Sequence, residues 1–289
     1  MKQRIITGAF IAVVYVLAIL GAIYLNNLVF DAFVLFLMIA AGWEMCNCIS
    51  NKTSPAIKLI VVVSALFSYA VFKIINVYEG VATALNGFVV AAIFISVLAF
   101  VICVFSKKHT VSNAVSTVFV IIYPVSVLSC FLALSHLPEN MYAGAIIMAI
   151  LSTCLADSMA YFVGSLLKGP KLCPNVSPKK TISGAIGGLV GGLIAGLLLF
   201  VAAKFNILRV EQFSDNNLVN IFNWLFIGLG SALFCEIGDL IASHIKRVCG
   251  IKDFGTLLSG HGGIMDRIDG LIVSSIYIYV YYSILIIVL

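Results

Sequence analysis

Residues 236–270 read EIGDLIASHIKRVCGIKDFGTLLSGHGGIMDRIDG, and no other stretch limits what this chain can fold into as tightly. It carries Glu236, Asp239, Asp253, Asp266 and Asp269, five of the twelve acidic residues, together with Lys246, Arg247, Lys252, Arg267, His244 and His261. The flanks, residues 218–235 and 271–289, are hydrocarbon-like. Charge set between two such flanks is costly unless it meets water, an opposite charge or a metal. The run therefore reads as a site at a membrane surface, and the rest of the chain as what holds it there.

Composition supports that reading. Of 289 residues, 62% are hydrophobic and only 10% charged, against roughly a quarter charged in a soluble domain. Long uncharged runs recur, which predicts an all-α, polytopic membrane protein; the short alternating segments of a β-barrel are absent. Nine spans are expected, at residues 5–25, 28–50, 57–75, 81–105, 111–137, 141–167, 183–204, 218–244 and 270–289. The first is read as a retained span, because its apolar run is long and no small-residue cleavage site follows it. With the N-terminus cytoplasmic, fourteen of the seventeen Lys and Arg fall on the inner side, leaving Lys73, Lys204 and Arg209 outside. That orientation puts both polar loops, residues 168–182 and 246–269, on the cytoplasmic side. The net charge of +5 comes with no basic stripe interleaved with aromatics, which argues against nucleic-acid binding. The eight cysteines form no CxxC and read as small apolar fillers. The chain reads as a single membrane domain over residues 1–289, with a plainer half (1–138) and a half carrying the chemistry (139–289).

On a helix, Glu236, Asp239, Ser243 and Lys246 or Arg247 share one face, a polar stripe running from a basic mouth to two carboxylates. Gly255, Gly260, Gly262 and Gly263 bracket His261, and glycines let backbone amides approach phosphate oxygens. Asp266 and Asp269 lie at i, i+3 at the start of the last helix, where carboxylates suit the helix dipole. Carboxylates with Lys and Arg, and no nucleophile–base pair, suit phosphoryl or nucleotidyl transfer assisted by a divalent metal such as Mg²⁺. Asp157 is expected near the cytoplasmic end of its span, and in the loop that follows it Ser177, Lys179, Lys180 and Thr181 stand just before a helix, the makings of an anion site. The plainer alternative is ion pairing between helices, Lys246 or Arg247 with Asp266 and Arg267 with Asp239, with the loop lysines as headgroup anchors. Asp31 is expected to be solvated near the outer end of its span, and Glu44 to snorkel at the inner surface. The glycines of residues 184–196 are expected to serve close helix packing.

Ser243-x-x-Lys246-Arg247, Lys252-Asp253 and His261-Gly262-Gly263-x-x-Asp266-Arg267-x-Asp269 together resemble the signature of the phosphatidate cytidylyltransferase (CDP-diacylglycerol synthase) family. Asp157-Ser158-x-Ala160-Tyr161 and Ser177-Pro178-Lys179-Lys180-Thr181 resemble the family's other polar motif, and Trp43-Glu44 a pair in its N-terminal half. The chain departs from the pattern at Ile182-Ser183, where Trp-Glu is usual, at Met159 in place of glycine, and at Ser259 in place of proline. The resemblance implies transfer of a cytidylyl group from CTP to phosphatidate, giving CDP-diacylglycerol and pyrophosphate, in phospholipid biosynthesis at the cell membrane. It implies catalytic roles for Asp239, Asp266, Lys246, Arg267 and His261. It gives substrate-binding roles to Asp157, Ser177, Lys179, Lys180, Ser243, Arg247, Lys252, Gly262 and Gly263. It places Mg²⁺ on Asp239 and Asp266 with Asp269 beside them, and leaves room for a second cation and for a homodimer. Rival readings are a lipid kinase using another nucleoside triphosphate and a cation-coupled transporter, though a transporter has no need of His-Gly-Gly and four basic residues in one loop.

Single cysteines placed at Lys171 and Thr256 are expected to react with an impermeant thiol reagent only from the cytoplasmic side. Labelling of either from outside intact cells would contradict the nine-span arrangement.

Overall fold

The structure, a computed structural model, describes residues 2–258 and 262–288, with side chains from Thr7 onward. Among the described residues, nine helices are long and apolar enough to cross a membrane. The architecture is all-α and consistent with a multi-span membrane protein, as the hydropathy pattern requires. In order, the elements are α1 (Lys2–Leu20), which ends in a π turn, α2 (Asn27–Ser50), α3 (Lys58–Glu79), α4 (Val81–Phe105), α5 (Val111–Val120) and α6 (Leu128–Leu134). These are followed by α7 (Tyr142–Leu167), strands β1 (Lys171–Cys173) and β2 (Ser177–Thr181), α8 (Ile182–Lys204), α9 (Asn217–Val248) and α10 (Met265–Val288). The span over residues 111–134 is broken in two. Pro124 lacks the N–H that a continuous helix would use, and Tyr123 leaves helical geometry beside it.

The chain forms two compact units. Unit 1 comprises Met1–Ala18, Leu28–His136 and Ile245–Ile268, so most of the polar run belongs with the N-terminal helices. Unit 2 comprises Ile19–Asn27, Leu137–His244 and Asp269–Leu289.

In unit 1, Asp31 is not solvated as expected but fully buried. Lys73 Nζ donates to it at 2.7 Å and Tyr69 Oη at 3.3 Å from α3, and His136 Nε2 (2.9 Å) and Ser135 Oγ (3.4 Å) reach it from just beyond α6. A buried carboxylate persists only with such partners, and all four converge on it from residues far along the chain.

In unit 2, the glycine face of α8 packs against α7 and α9, as expected. A Cβ added at Gly191 would lie 2.5 Å from the Leu155 carbonyl, and one at Gly192 or Gly228 would strike the other's carbonyl. Small residues admit such backbone-to-backbone approach. Hydroxyls of Ser152, Ser231 and Ser274 then link α7, α9 and α10 in a chain of 2.5 and 3.0 Å. The loop over residues 168–182 is more ordered than its composition implies. It forms an antiparallel hairpin that pairs Lys171 with Thr181 and Cys173 with Ser177. Cys173 and Ser177 each precede a proline, which biases both toward extended backbone.

Gly192→Leu is expected to lower stability by about 1–3 kcal/mol through overpacking, read as a lower Tm in detergent. An unchanged Tm would contradict the close packing of α8 on α9.

Candidate active site

In unit 1 the site starts where α9 stops. Ile251 N–H donates to the Lys246 carbonyl at 2.9 Å and Gly250 N–H to the Arg247 carbonyl at 3.1 Å, with Gly250 at φ +70°. This is a Schellman ending, and it needs a residue tolerant of left-handed backbone at Gly250. The turn leaves Lys246 buried at 9% exposure. Its Nζ donates to Asp266 Oδ1 at 2.8 Å and lies 5.1 Å from the centre of the Phe254 ring. Asp266 Oδ2 accepts the N–H groups of Phe254 (2.8 Å) and Gly263 (2.9 Å).

Glu44 provides the second anchor. It does not snorkel but is buried, and its two oxygens accept the N–H groups of Ile264 (3.0 Å) and Met265 (2.9 Å). Those donors lie at the very start of α10, where N–H groups have no partner within the helix and a negative charge is favoured. A Cβ at Gly255 or Gly263 would strike the Glu44 carboxylate. These glycines thus admit carboxylates of the protein itself, and the Gly263 amide expected to meet a phosphate is engaged by Asp266.

Beside this anchor lies a cavity of about 940 Å³ whose lining mixes polar and apolar side chains. Asn47 and Asn51 reach it from the end of α2, and Lys252, Asp253, Thr256 and Arg267 from the polar run. Lys252 and Arg267 are exposed, and Arg267 forms no ion pair with a described residue. Arg247 is exposed as well and donates to the Ile251 carbonyl at 3.4 Å. Gly262, at φ +82°, lies against Asp266. His261 lies outside the described residues.

In unit 2, Lys180 on β2 meets Asp239 on α9, Nζ to Oδ2, at 2.6 Å. Ser243 Oγ donates to Asp239 Oδ1 at 3.3 Å. The pair is partly open, with side-chain exposures of 25% and 29%. Thr181 caps α8 by accepting the Gly184 N–H at 3.1 Å, which fixes the strand carrying Ser177, Lys179 and Lys180 at the helix start. Glu236, one turn before Asp239, is within electrostatic range of Lys180, Asp157 and Asp239. Its buried Oε1 has no hydrogen-bond partner among the described residues and is seated where Gly188 leaves room. Asp157 is exposed on α7, and Asp269 accepts the Gly270 N–H at 3.0 Å.

These oxygens are hard donors of the kind Mg²⁺ takes. Glu236 has an unpartnered buried oxygen, and Asp239 is held by one lysine and one hydroxyl, so the donor set fits a divalent ion. Among the described residues no three His, Cys, Asp or Glu are gathered as a ready-made metal site. Sequence reading placed Glu236 on the polar stripe without giving it a role. It missed Asn47 and Asn51, whose only signal is their spacing of four at the end of a span.

A family model described as the cytidylyltransferase family matches residues 2–285. The chain is also similar to phosphatidate cytidylyltransferases. The protein of Staphylococcus haemolyticus is 35% identical over 124 residues, 43% of each chain. That of Rickettsia conorii is 33% identical over 123 residues, 43% of this chain and 51% of the relative. That of Staphylococcus aureus strain COL is 38% identical over 128 residues, 43% of each chain. The chain thus spans about half the length of the curated relatives it matches.

The two aspartates are expected to differ in what they hold up. Asp266→Asn strands a buried lysine and should cost about 3–5 kcal/mol of stability, whereas Asp239→Asn breaks a half-open pair and should cost about 0–1 kcal/mol. Thermal unfolding of both variants in one detergent checks this, and equal losses would contradict it.

Proposed function

The chain belongs to the cytidylyltransferase family, and from that premise we propose that it transfers a cytidylyl group from CTP to phosphatidate, releasing pyrophosphate and leaving CDP-diacylglycerol. The observation that carries this reading is the cavity lined largely by the very run that bears the signature, with exposed Lys252 and Arg267 in its wall. The phosphate monoester of phosphatidate is largely ionised at neutral pH, so no strong general base is needed. One of its oxygens forms a bond to the α-phosphorus of CTP. The bond from that phosphorus to the α,β-bridging oxygen breaks, and the electron pair leaves on pyrophosphate.

The difficulty is to bring two anions together, and cations at fixed positions answer it. Lys252 and Arg247 hold the triphosphate, and Arg267 holds phosphate at the wall of the same cavity. Ser177, Lys179 and Lys180 hold phosphate of one substrate or the other at the start of α8. Lys246 acts as a positioning residue, since its ammonium is buried against Asp266. Mg²⁺ held by carboxylates neutralises triphosphate charge when bound. Asp239 and Asp269, with Glu236 near Asp239, are the oxygens available to it in unit 2, and in unit 1 Asp266 keeps spare acceptor capacity on Oδ1. His261 is given its place by the resemblance. The N-terminus and both polar segments face the cytoplasm, where CTP is found.

Purified protein given CTP, phosphatidate and Mg²⁺ is expected to yield pyrophosphate and CDP-diacylglycerol in equal amounts, and neither without the lipid. Release of a nucleoside diphosphate with a newly phosphorylated lipid would replace this reading with that of a lipid kinase. Asp239→Asn should lower turnover by about 100-fold and raise the Mg²⁺ concentration needed. Lys180→Ala should lower kcat/KM by roughly 10–100-fold with little change in Tm. An Asp239→Asn protein with normal Mg²⁺ dependence would contradict the metal assignment.

A further inference from the structure

Unit 1 holds a second cavity, of about 280 Å³, with an almost wholly apolar lining. Phe10, Val14 and Tyr15 reach it from α1, Phe33 and Leu37 from α2, and Ile264 from the start of α10. The remaining wall is unexpected. Leu257 and Leu258 stand together within residues 255–263, where the other residues are glycine, hydroxyl-bearing or histidine, and both line this cavity. Leu257 is 65% exposed, and so are Phe10 (61%) and Phe36 (54%) beside it. Exposed apolar side chains on α1 and α2, both long and apolar enough to cross a membrane, face hydrocarbon, so a lipid chain can reach this cavity.

Two residues belong to both cavities. Leu258 and Arg267 line the apolar one and also the larger, mixed one. A guanidinium therefore stands where a dry pocket meets a more polar one, with no ion pair to a described residue. Its planar fork suits a phosphate, which it can bind through two parallel hydrogen bonds. The ligand that satisfies both cavities at once has a phosphate joined to a hydrocarbon chain. The apolar volume sits at the small end of ligand clefts, about 300–1,000 Å³. It accommodates the first part of one chain, with the remainder free to lie along α1 and α2 in the bilayer.

We propose that this cavity takes an acyl chain of the lipid phosphate acceptor, and that Arg267 holds that lipid's phosphate at the border of the larger cavity. The proposal rests on the reading of the chain as a cytidylyltransferase acting on a lipid phosphate. It adds the acceptor's site and gives α1 a part in lipid binding. Leu257 and Leu258 become the apolar lip over which the chain enters.

The test uses the full chain in phosphatidylcholine nanodiscs and a phosphatidate bearing a photoreactive diazirine near the glycerol end of one acyl chain. On irradiation, label is expected within residues 10–15 or 33–37, and excess unlabelled phosphatidate should remove it while added phosphatidylcholine does not. Val14→Trp and Phe33→Trp should fill the cavity, abolish the competable label and raise KM for long-chain phosphatidate about tenfold, leaving KM for CTP unchanged. Competable label only outside these segments would overturn the proposal, as would label that any lipid competes away. Trp variants that fold, by an unchanged Tm, yet keep normal KM for phosphatidate would overturn it too. If a Trp variant fails to fold, the label map of the unaltered chain still decides. A wild-type protein that consumes no CTP with any lipid phosphate would sink the functional reading itself, whereas normal turnover with label elsewhere sinks only this inference.

Discussion

Two buried carboxylates, Glu44 and Asp266, hold the backbone on which the polar run depends. Between them they accept four main-chain N–H groups, from Phe254, Gly263, Ile264 and Met265, and Asp266 also takes the ammonium of Lys246. Each of those donors would otherwise be buried without a partner, at a cost of about 1–3 kcal/mol apiece. A segment without regular structure has no ladder to satisfy its amides, so carboxylates take that part. The helix start of α10 adds its dipole to the attraction. The Schellman turn at Gly250 delivers the chain to the first anchor, and Gly255 and Gly263 leave room for the second.

The same chemistry serves differently where it is less buried. Asp239 and Lys180 form a short pair, but both side chains keep about a quarter of their surface in reach of solvent. Such a pair contributes little to stability. Glu236 behind it keeps a buried oxygen without a hydrogen bond among the described residues. Burial thus separates the carboxylates that hold backbone from Asp239, which stays partly open to solvent.

Much of this was legible in the sequence, and what escaped it has a common cause. Span positions follow from hydropathy, which is local. The packing role of the α8 glycines follows from their spacing, and the Lys246–Asp266 pair was one of the alternatives that charge alone allowed. The environments of Glu44 and Asp31 were misjudged because their partners are remote: Glu44 bonds to backbone 220 and 221 positions away, and Asp31 to His136 across 105. No local pattern announces such a pairing. The hairpin was hidden by three prolines in a charged stretch, which read as a loop until the extended bias of the residues before them is counted. Leu257 and Leu258 passed unnoticed because two leucines carry no weight in a chain this apolar.

The dependence of the polar run on Glu44 is open to direct measurement by amide hydrogen exchange. In the unaltered chain, the amides of Phe254, Gly263, Ile264 and Met265 should be protected well beyond those of an exposed loop. In Glu44→Ala, protection of Ile264 and Met265 should fall to near the level of unstructured chain and that of Gly263 should weaken, while α3 and α4 stay as protected as before. Unchanged exchange across residues 254–265 in a Glu44→Ala protein would show that the run holds its shape without this carboxylate, and would contradict its role as an anchor.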